Sequence, residues 1–126
     1  MGEQKFFRCK HCGNFVGLIN NAGVPMVCCG ENMEELIPNT VEASKEKHIP
    51  ACIVLDDAIT VQIGSTLHPM EDNHHIEFIY ICTERGGQRK SLKVGEPPIQ
   101  TFKLVDDTAK EIFAYCNIHG LWKVKP

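Results

Sequence analysis

At 126 residues the chain has room for one ordinary domain, or for a small metal-stapled module beside a compact core. Apolar residues at 43% and charged residues at 23% give the profile of a soluble globular protein, and the net charge of −3 argues against nucleic acid or an anionic membrane as partner. No apolar run approaches the roughly 20 residues of a spanning helix, and the polar start Met1-Gly2-Glu3-Gln4-Lys5 has no signal-peptide character. A cytoplasmic location is therefore expected.

The first 37 residues hold Cys9, Cys12, Cys28 and Cys29 but few large apolar side chains. Such a segment cannot build its own core and needs a staple. The chain has seven cysteines, an odd number, so they cannot all pair within it. Clustered cysteines in a chain with no secretion signal read as metal ligands before they read as disulfides. Cys9-Lys10-His11-Cys12 is a C-x-x-C pair followed by Gly13, and the vicinal Cys28-Cys29 is followed by Gly30. Four thiolates at this spacing can close a tetrahedron around zinc or iron. Spacing alone favours a structural zinc ribbon, whereas the vicinal pair is unusual for one. His11 is expected to be solvated or bonded to nearby backbone.

Ile37-Pro38-Asn39-Thr40 and the polar run Glu42 to Lys47 read as a linker. From Ile49 onward the pattern turns to strands. Ile59, Val61 and Ile63 alternate with Thr60 and Gln62, with Asp56-Asp57 as a turn before them. Ile76 to Thr83 is apolar on both alternating sets, which predicts a central strand covered on both faces. Arg85-Gly86-Gly87-Gln88 reads as a turn. Short strands are predicted at Lys90–Val94, Gln100–Val105 and Glu111–Tyr115, broken by Gly95-Glu96-Pro97-Pro98 and Asp106-Asp107. The whole is mainly β: strands every 8–12 residues suggest an antiparallel sandwich, and neither an internal repeat nor a long helical period is present.

Five of the six histidines lie in this second region: His48, His68, His74, His75 and His119. None sits in an alternating apolar run as a core histidine would. Cys116-Asn117-Ile118-His119 puts a thiolate and an imidazole within one turn, and His68-Pro69-Met70-Glu71-Asp72-Asn73-His74 brackets a polar loop. His74 and His75 would point to opposite faces of a strand, so only one can ligate; His75 is the spare. Four imidazoles with one thiolate exceed the four ligands of structural zinc and point to a redox metal, iron above all. Five protein ligands leave one octahedral position for a small diatomic ligand, with thiolate electron density pushing towards it.

These motifs resemble the desulfoferrodoxin family, the two-iron superoxide reductases of anaerobic and microaerophilic prokaryotes. Cys9 to Asn14 with Cys28-Cys29-Gly30 resembles the family's iron knuckle. Glu46-Lys47-His48-Ile49-Pro50, His68-Pro69-Met70-Glu71 through His74, and Cys116 to Trp122 resemble three motifs of its active-site domain. The resemblance implies a small desulforedoxin-like (rubredoxin-like) metal-knuckle module over 1–37. An immunoglobulin-like antiparallel β-sandwich over 38–126 would follow, in a homodimer. It implies two iron ions per chain, the first on Cys9, Cys12, Cys28 and Cys29. The second would have His48, His68, His74 and His119 as equatorial ligands and Cys116 as the axial one. It implies one-electron reduction of superoxide to hydrogen peroxide, with a rubredoxin-like electron donor. Lys47 would draw in the anion and orient a protonating water, and Glu46 would occupy the sixth position once the iron is oxidised. The chain departs from the family at Ala114, where a charged residue is common, at Asp56-Asp57 in place of a glycine turn, and at His75 in place of an aromatic residue. Cys52 and Cys82 belong to no family motif and read as small buried residues, with a disulfide between them left open. From the residues alone, a non-catalytic iron electron carrier, a zinc-ribbon binding module and a superoxide dismutase stand as alternatives.

Overall fold

In the computed structural model, which describes residues 3–43 and 45–126, the chain divides into two compact units, Met1–Ile37 and Pro38–Pro126. The first is built from very short strands. β1 (Lys5–Arg8) pairs antiparallel with β2 (Phe15–Leu18) on one side and β5 (Glu34–Glu35) on the other, and β3 (Val27–Cys28) pairs with β4 (Glu31–Asn32). Its apolar interior is small: Phe6 and Cys9 are its buried apolar side chains, with the Phe15 ring 5.9 Å from that of Phe6. The Phe6 ring also lies over Gly17, where a β-carbon would stand 3.2 Å from it.

The second unit opens with one helical turn, α1 (Lys45–His48), inside the stretch expected to be linker. Seven strands follow: β6 (Pro50–Leu55), β7 (Ala58–Ile63), β8 (Ile76–Thr83), β9 (Gly86–Ser91), β10 (Ile99–Lys103), β11 (Ala109–Cys116) and β12 (Gly120–Val124). They form two antiparallel sheets, ordered β10-β7-β6 and β12-β11-β8-β9. Between the sheets lies one core of Ile59, Val61, Ile63, Ile79, Ile81, Phe102, Ile112 and Ala114, among others. The expected β-sandwich is thus the observed architecture, and Asp56-Asp57 does make the β6–β7 turn.

β8 is covered on both faces as its composition predicts. Ile79 and Ile81 enter the core, while Phe78 and Tyr80 meet Tyr115 and Phe113 of β11 at ring separations of 6.0 and 6.2 Å. Other boundaries differ from expectation. The β8–β9 turn is only Glu84-Arg85, so Gly86, Gly87 and Gln88 belong to β9, which ends at Ser91 rather than at Val94. Gly87 is in a strand because the Tyr80 ring occupies the space its side chain would need, with the hydroxyl 2.1 Å from an ideal β-carbon. β11 extends beyond Glu111–Tyr115 at both ends and terminates on Cys116, and β12 was hidden within the Cys116–Trp122 motif. Cys52 and Cys82 are free thiols on opposite sheets, both pushed up by burial.

Candidate metal centres

Each unit brings one group of metal-ligating side chains together. In the first, the sulfurs of Cys9, Cys12, Cys28 and Cys29 all lie within 4.8 Å of one another. Cys12 and Cys28 are 3.6 Å apart and Cys28 and Cys29 are 3.9 Å apart. A disulfide needs about 2.05 Å. Two sulfurs each about 2.3 Å from a tetrahedral ion lie about 3.8 Å apart, which is the separation seen. The local backbone explains the convergence. Gly13 takes φ +82°, closing a turn in which its N–H donates to the Cys9 carbonyl. Cys29 and Gly30 both take positive φ, 53° and 75°, and this reversal lets two adjacent cysteines face one point.

Backbone N–H groups of Cys12 and Asn14 approach the sulfurs of Cys9 and Cys12 at 3.5 and 3.4 Å, and the Asn14 side-chain amide approaches Cys28 at 3.6 Å. The Cys12 N–H is the main reason the Cys9 thiol falls to about 6. Cys29, crowded by the sulfurs of Cys12 and Cys9, is pushed up to about 12. One thiolate forms easily and four together require a cation, so the donor set fits a metal ion of the zinc or iron class. His11 is exposed, in line with the solvated half of the expectation, and it pairs with the exposed carboxylate of Glu31, which lowers Glu31, rather than with backbone.

The second group is built on the core. Cys116 ends β11, His48 ends α1, His68 follows β7, and His74 closes a tight turn bridged to Glu71 by two backbone hydrogen bonds of 2.9 and 3.1 Å. Donor atoms of His48, His68, His74 and Cys116 lie within 4.8 Å of one another. His119 joins them: its Nδ1 is 3.1 Å from Nε2 of His48 and 3.9 Å from Sγ of Cys116. The four rings form a square. Going round it, the centroids of His48–His68, His68–His74, His74–His119 and His119–His48 are 4.6, 4.7, 5.1 and 4.9 Å apart, and the diagonal His48–His74 is 6.4 Å. Neighbouring rings are tilted by 73–90°.

Protonation shows what this square is for. Nδ1–H of His68 donates to the Pro69 carbonyl at 2.7 Å, leaving its Nε2 bare, 3.1 Å from Nε2 of His48. That same His48 atom also faces His119, and one N–H cannot serve both neighbours. Nε2 of His74 is buried with no hydrogen-bond partner. Two nitrogens about 2.1 Å from one ion, at right angles, lie about 3.0 Å apart, so the facing nitrogens have the spacing of adjacent ligands. Burial holds His68 neutral, down to about 4, and lowers His74 as well. Burial also pushes the Cys116 thiol up, opposed by the His119 N–H at 3.4 Å from its sulfur, so a cation is needed to hold it as thiolate. Five donors with a single thiolate fit iron better than four-coordinate zinc.

Around this centre, Trp122 stacks on His48 at 4.9 Å and donates its Nε1–H to the His119 carbonyl at 3.2 Å, fixing two of the four ligands. Trp122 closes the Cys116–Trp122 motif, but nothing in that spacing marks it as a support for the ligands. Glu46 and Lys47 are exposed on α1, immediately before His48. The Lys47 charge reaches the site: after burial and the neighbouring His119, it is among the causes that lower His74. Their backbone is seated by Gly64. At φ +86°, a β-carbon there would stand 2.7 Å from both the Glu46 carbonyl and Lys47 Cα. His75 donates from Nδ1 to the Glu71 carbonyl at 2.9 Å and stays outside the cluster.

The family model described as Desulfoferrodoxin matches residues 40–125, and that described as Desulfoferrodoxin, N-terminal domain, matches residues 2–36. The chain belongs to the desulfoferrodoxin family. The desulfoferrodoxin of Syntrophotalea carbinolica is 40% identical over 116 residues, covering 92% of this chain and 91% of that protein. Among solved structures, the superoxide reductase from Treponema pallidum matches with TM-score 0.83 and 36% identity, over 98% of this chain and 100% of its own. A superoxide reductase (1Fe-SOR) from Giardia intestinalis is matched over 98% of its length by 65% of this chain, with 26% identity and TM-score 0.53.

Proposed function

We propose that the chain is a superoxide reductase that takes up one electron and two protons per superoxide and releases hydrogen peroxide. The observation that carries this reading is the square of four imidazoles, His48, His68, His74 and His119, with the buried Cys116 sulfur against it. His48, His68, His74, His119 and Cys116 would hold the catalytic iron, and Cys9, Cys12, Cys28 and Cys29 a second. Iron(II) bound by the five-donor set supplies the single electron and one coordination position for a small anion, while thiolate donation raises its reducing power.

The protein's own groups do the rest. Burial keeps His68 and His74 unprotonated and free to ligate at neutral pH. Pro69 and Trp122 fix the His68, His48 and His119 ligands, limiting the rearrangement that a change of charge at the centre would impose. Lys47 places a cation at the rim, which steers an anion inward and can orient a water that delivers a proton. Glu46, beside it on the same exposed turn, is suited to enter the site as a carboxylate after turnover. Residues 1–37 form the four-cysteine iron module and 38–126 the catalytic domain. A small rubredoxin-like protein in the cytoplasm returns the electron. A homodimer is supported by Ile53 and Leu55 of edge strand β6, which are 64% and 61% exposed.

The test is to mix the iron-loaded, pre-reduced protein anaerobically with a known amount of superoxide and count products. One peroxide per superoxide with no dioxygen is expected. Half a peroxide and half a dioxygen per superoxide would make it a dismutase. An inert protein would favour a carrier or a binding module.

A further inference from the structure

Within its own segment His74 is held by the two backbone hydrogen bonds to Glu71. It lies in a loop before β8 rather than on a strand or helix, and its Nε2 has no hydrogen-bond partner. The backbone on both sides of it is nonetheless held by one side chain from elsewhere. The amide of Asn117 donates from Nδ2 to the Asn73 carbonyl at 3.1 Å and accepts at Oδ1 from the His75 N–H at 2.8 Å. The Asn117 backbone N–H adds a third bond, to the His75 carbonyl at 3.1 Å. The side chain therefore imitates a strand, satisfying one donor and one acceptor that straddle His74. Because Asn117 directly follows Cys116, the clamp ties the His74 loop to the chain segment that carries the thiolate and His119.

We propose that Asn117 is a positioning residue that holds His74 in the ligand square, an inference that rests on His74 being a ligand. Only asparagine makes both side-chain bonds at this reach. Aspartate keeps the acceptor and loses the donor, and alanine loses both. Asn39 makes the same pair of bonds to Lys123, from its Nδ2 to the carbonyl at 3.0 Å and from the Lys123 N–H to its Oδ1 at 2.8 Å, on a strand that carries no ligand. It is the natural control for the general cost of losing such a clamp.

The experiment compares wild type, Asn117→Asp, Asn117→Ala, Asn39→Ala and His74→Ala, each iron-loaded. The readouts are thermal midpoint, electron paramagnetic resonance of the oxidised histidine-cysteine centre, and the rate at which a chelator removes its iron. Asn117→Ala should release that iron about tenfold faster, with a spectrum shifted towards that of His74→Ala. Asn117→Asp should lie between. Asn39→Ala, which loosens the strand beside Trp122 rather than a ligand loop, should lower the thermal midpoint comparably while moving spectrum and release rate much less than Asn117→Ala does. If Asn117→Ala changes spectrum and release rate no more than Asn39→Ala does, the positioning role is wrong. If His74→Ala itself leaves the spectrum and iron retention unchanged, the ligand assignment fails, and the clamp proposal with it.

Discussion

The two metal centres of this chain solve the same problem, gathering like-charged donors around a cation, from opposite starting points. The four-cysteine centre sits among strands of two to four residues, with Cys12 and Cys29 exposed and little buried besides Phe6 and Cys9. The histidine-cysteine centre is set into a finished core: Cys116 is itself a core residue, and His48 and His68 are each 2% exposed. In the first unit the metal makes the fold, since four thiolates cannot coexist there without it. In the second the fold makes the site. Keeping His68 neutral and burying the partnerless Nε2 of His74 cost stability, and the two-sheet core is large enough to bear that cost.

Metal removal should separate the two most widely. Without metal, the amides of β1 and β2 should lose hydrogen-exchange protection while those of β8 and β11 keep it, because a structural tetrahedral ion contributes on the order of 10 kcal/mol to such small modules. Equal loss in both units would erase the distinction. Next in size is Gly64→Ala. Its β-carbon would collide with backbone atoms of Thr66, Glu46 and Lys47 at 2.3–2.7 Å, at a φ that disfavours any side chain. A loss of about 2 kcal/mol or more is expected, roughly a 10 °C fall in the second unit's melting midpoint. An unchanged midpoint would remove Gly64 as the seat of the Lys47 segment.

Acid should act on the second unit in a defined direction. A histidine held near 4 when folded and titrating near 6.5 when unfolded binds more protons in the unfolded state. The metal-free second unit should therefore lose stability as pH falls from about 6.5 towards 4, by up to about 3 kcal/mol for His68. A flat profile in chemical denaturation over that window would contradict the burial argument. The smallest effect is expected at the rim. Lys47→Ala should slow superoxide capture several-fold at low ionic strength, with the deficit shrinking as salt is raised and iron content unchanged. Stopped-flow rates across a salt series decide this, and a deficit independent of salt would remove steering as its role.

The chain revealed its cores and ligands better than the pieces that hold them. Alternation of Ile59, Val61 and Ile63 and the double-sided Ile76–Thr83 run announced buried strands because burial depends on local periodicity. The cysteine and histidine spacings announced both centres because ligation limits residue type. Trp122 and Asn117 fall inside the Cys116–Trp122 motif and Gly64 inside none, yet nothing in the residue pattern marked any of the three as a support for the ligands. Each acts through a partner 17 to 74 positions away, namely Lys47 at a separation of 17, His48 at 74, and Asn73 and His75 at 44 and 42. Such roles exist only once the chain is folded. Gly86 and Gly87 misled for a related reason: paired glycines usually mark a turn, but here Tyr80 of the neighbouring strand fills the space above Gly87.

The measurement that bears most directly on the division of labour is a superoxide pulse given to pre-reduced wild type and to Cys116→Ala, both carrying an intact four-cysteine iron. The account predicts that the variant loses at least about 100-fold in the rate of peroxide formation while its four-cysteine absorption is unchanged. Equal rates in the two proteins would contradict it, and would move the chemistry away from the histidine-cysteine centre.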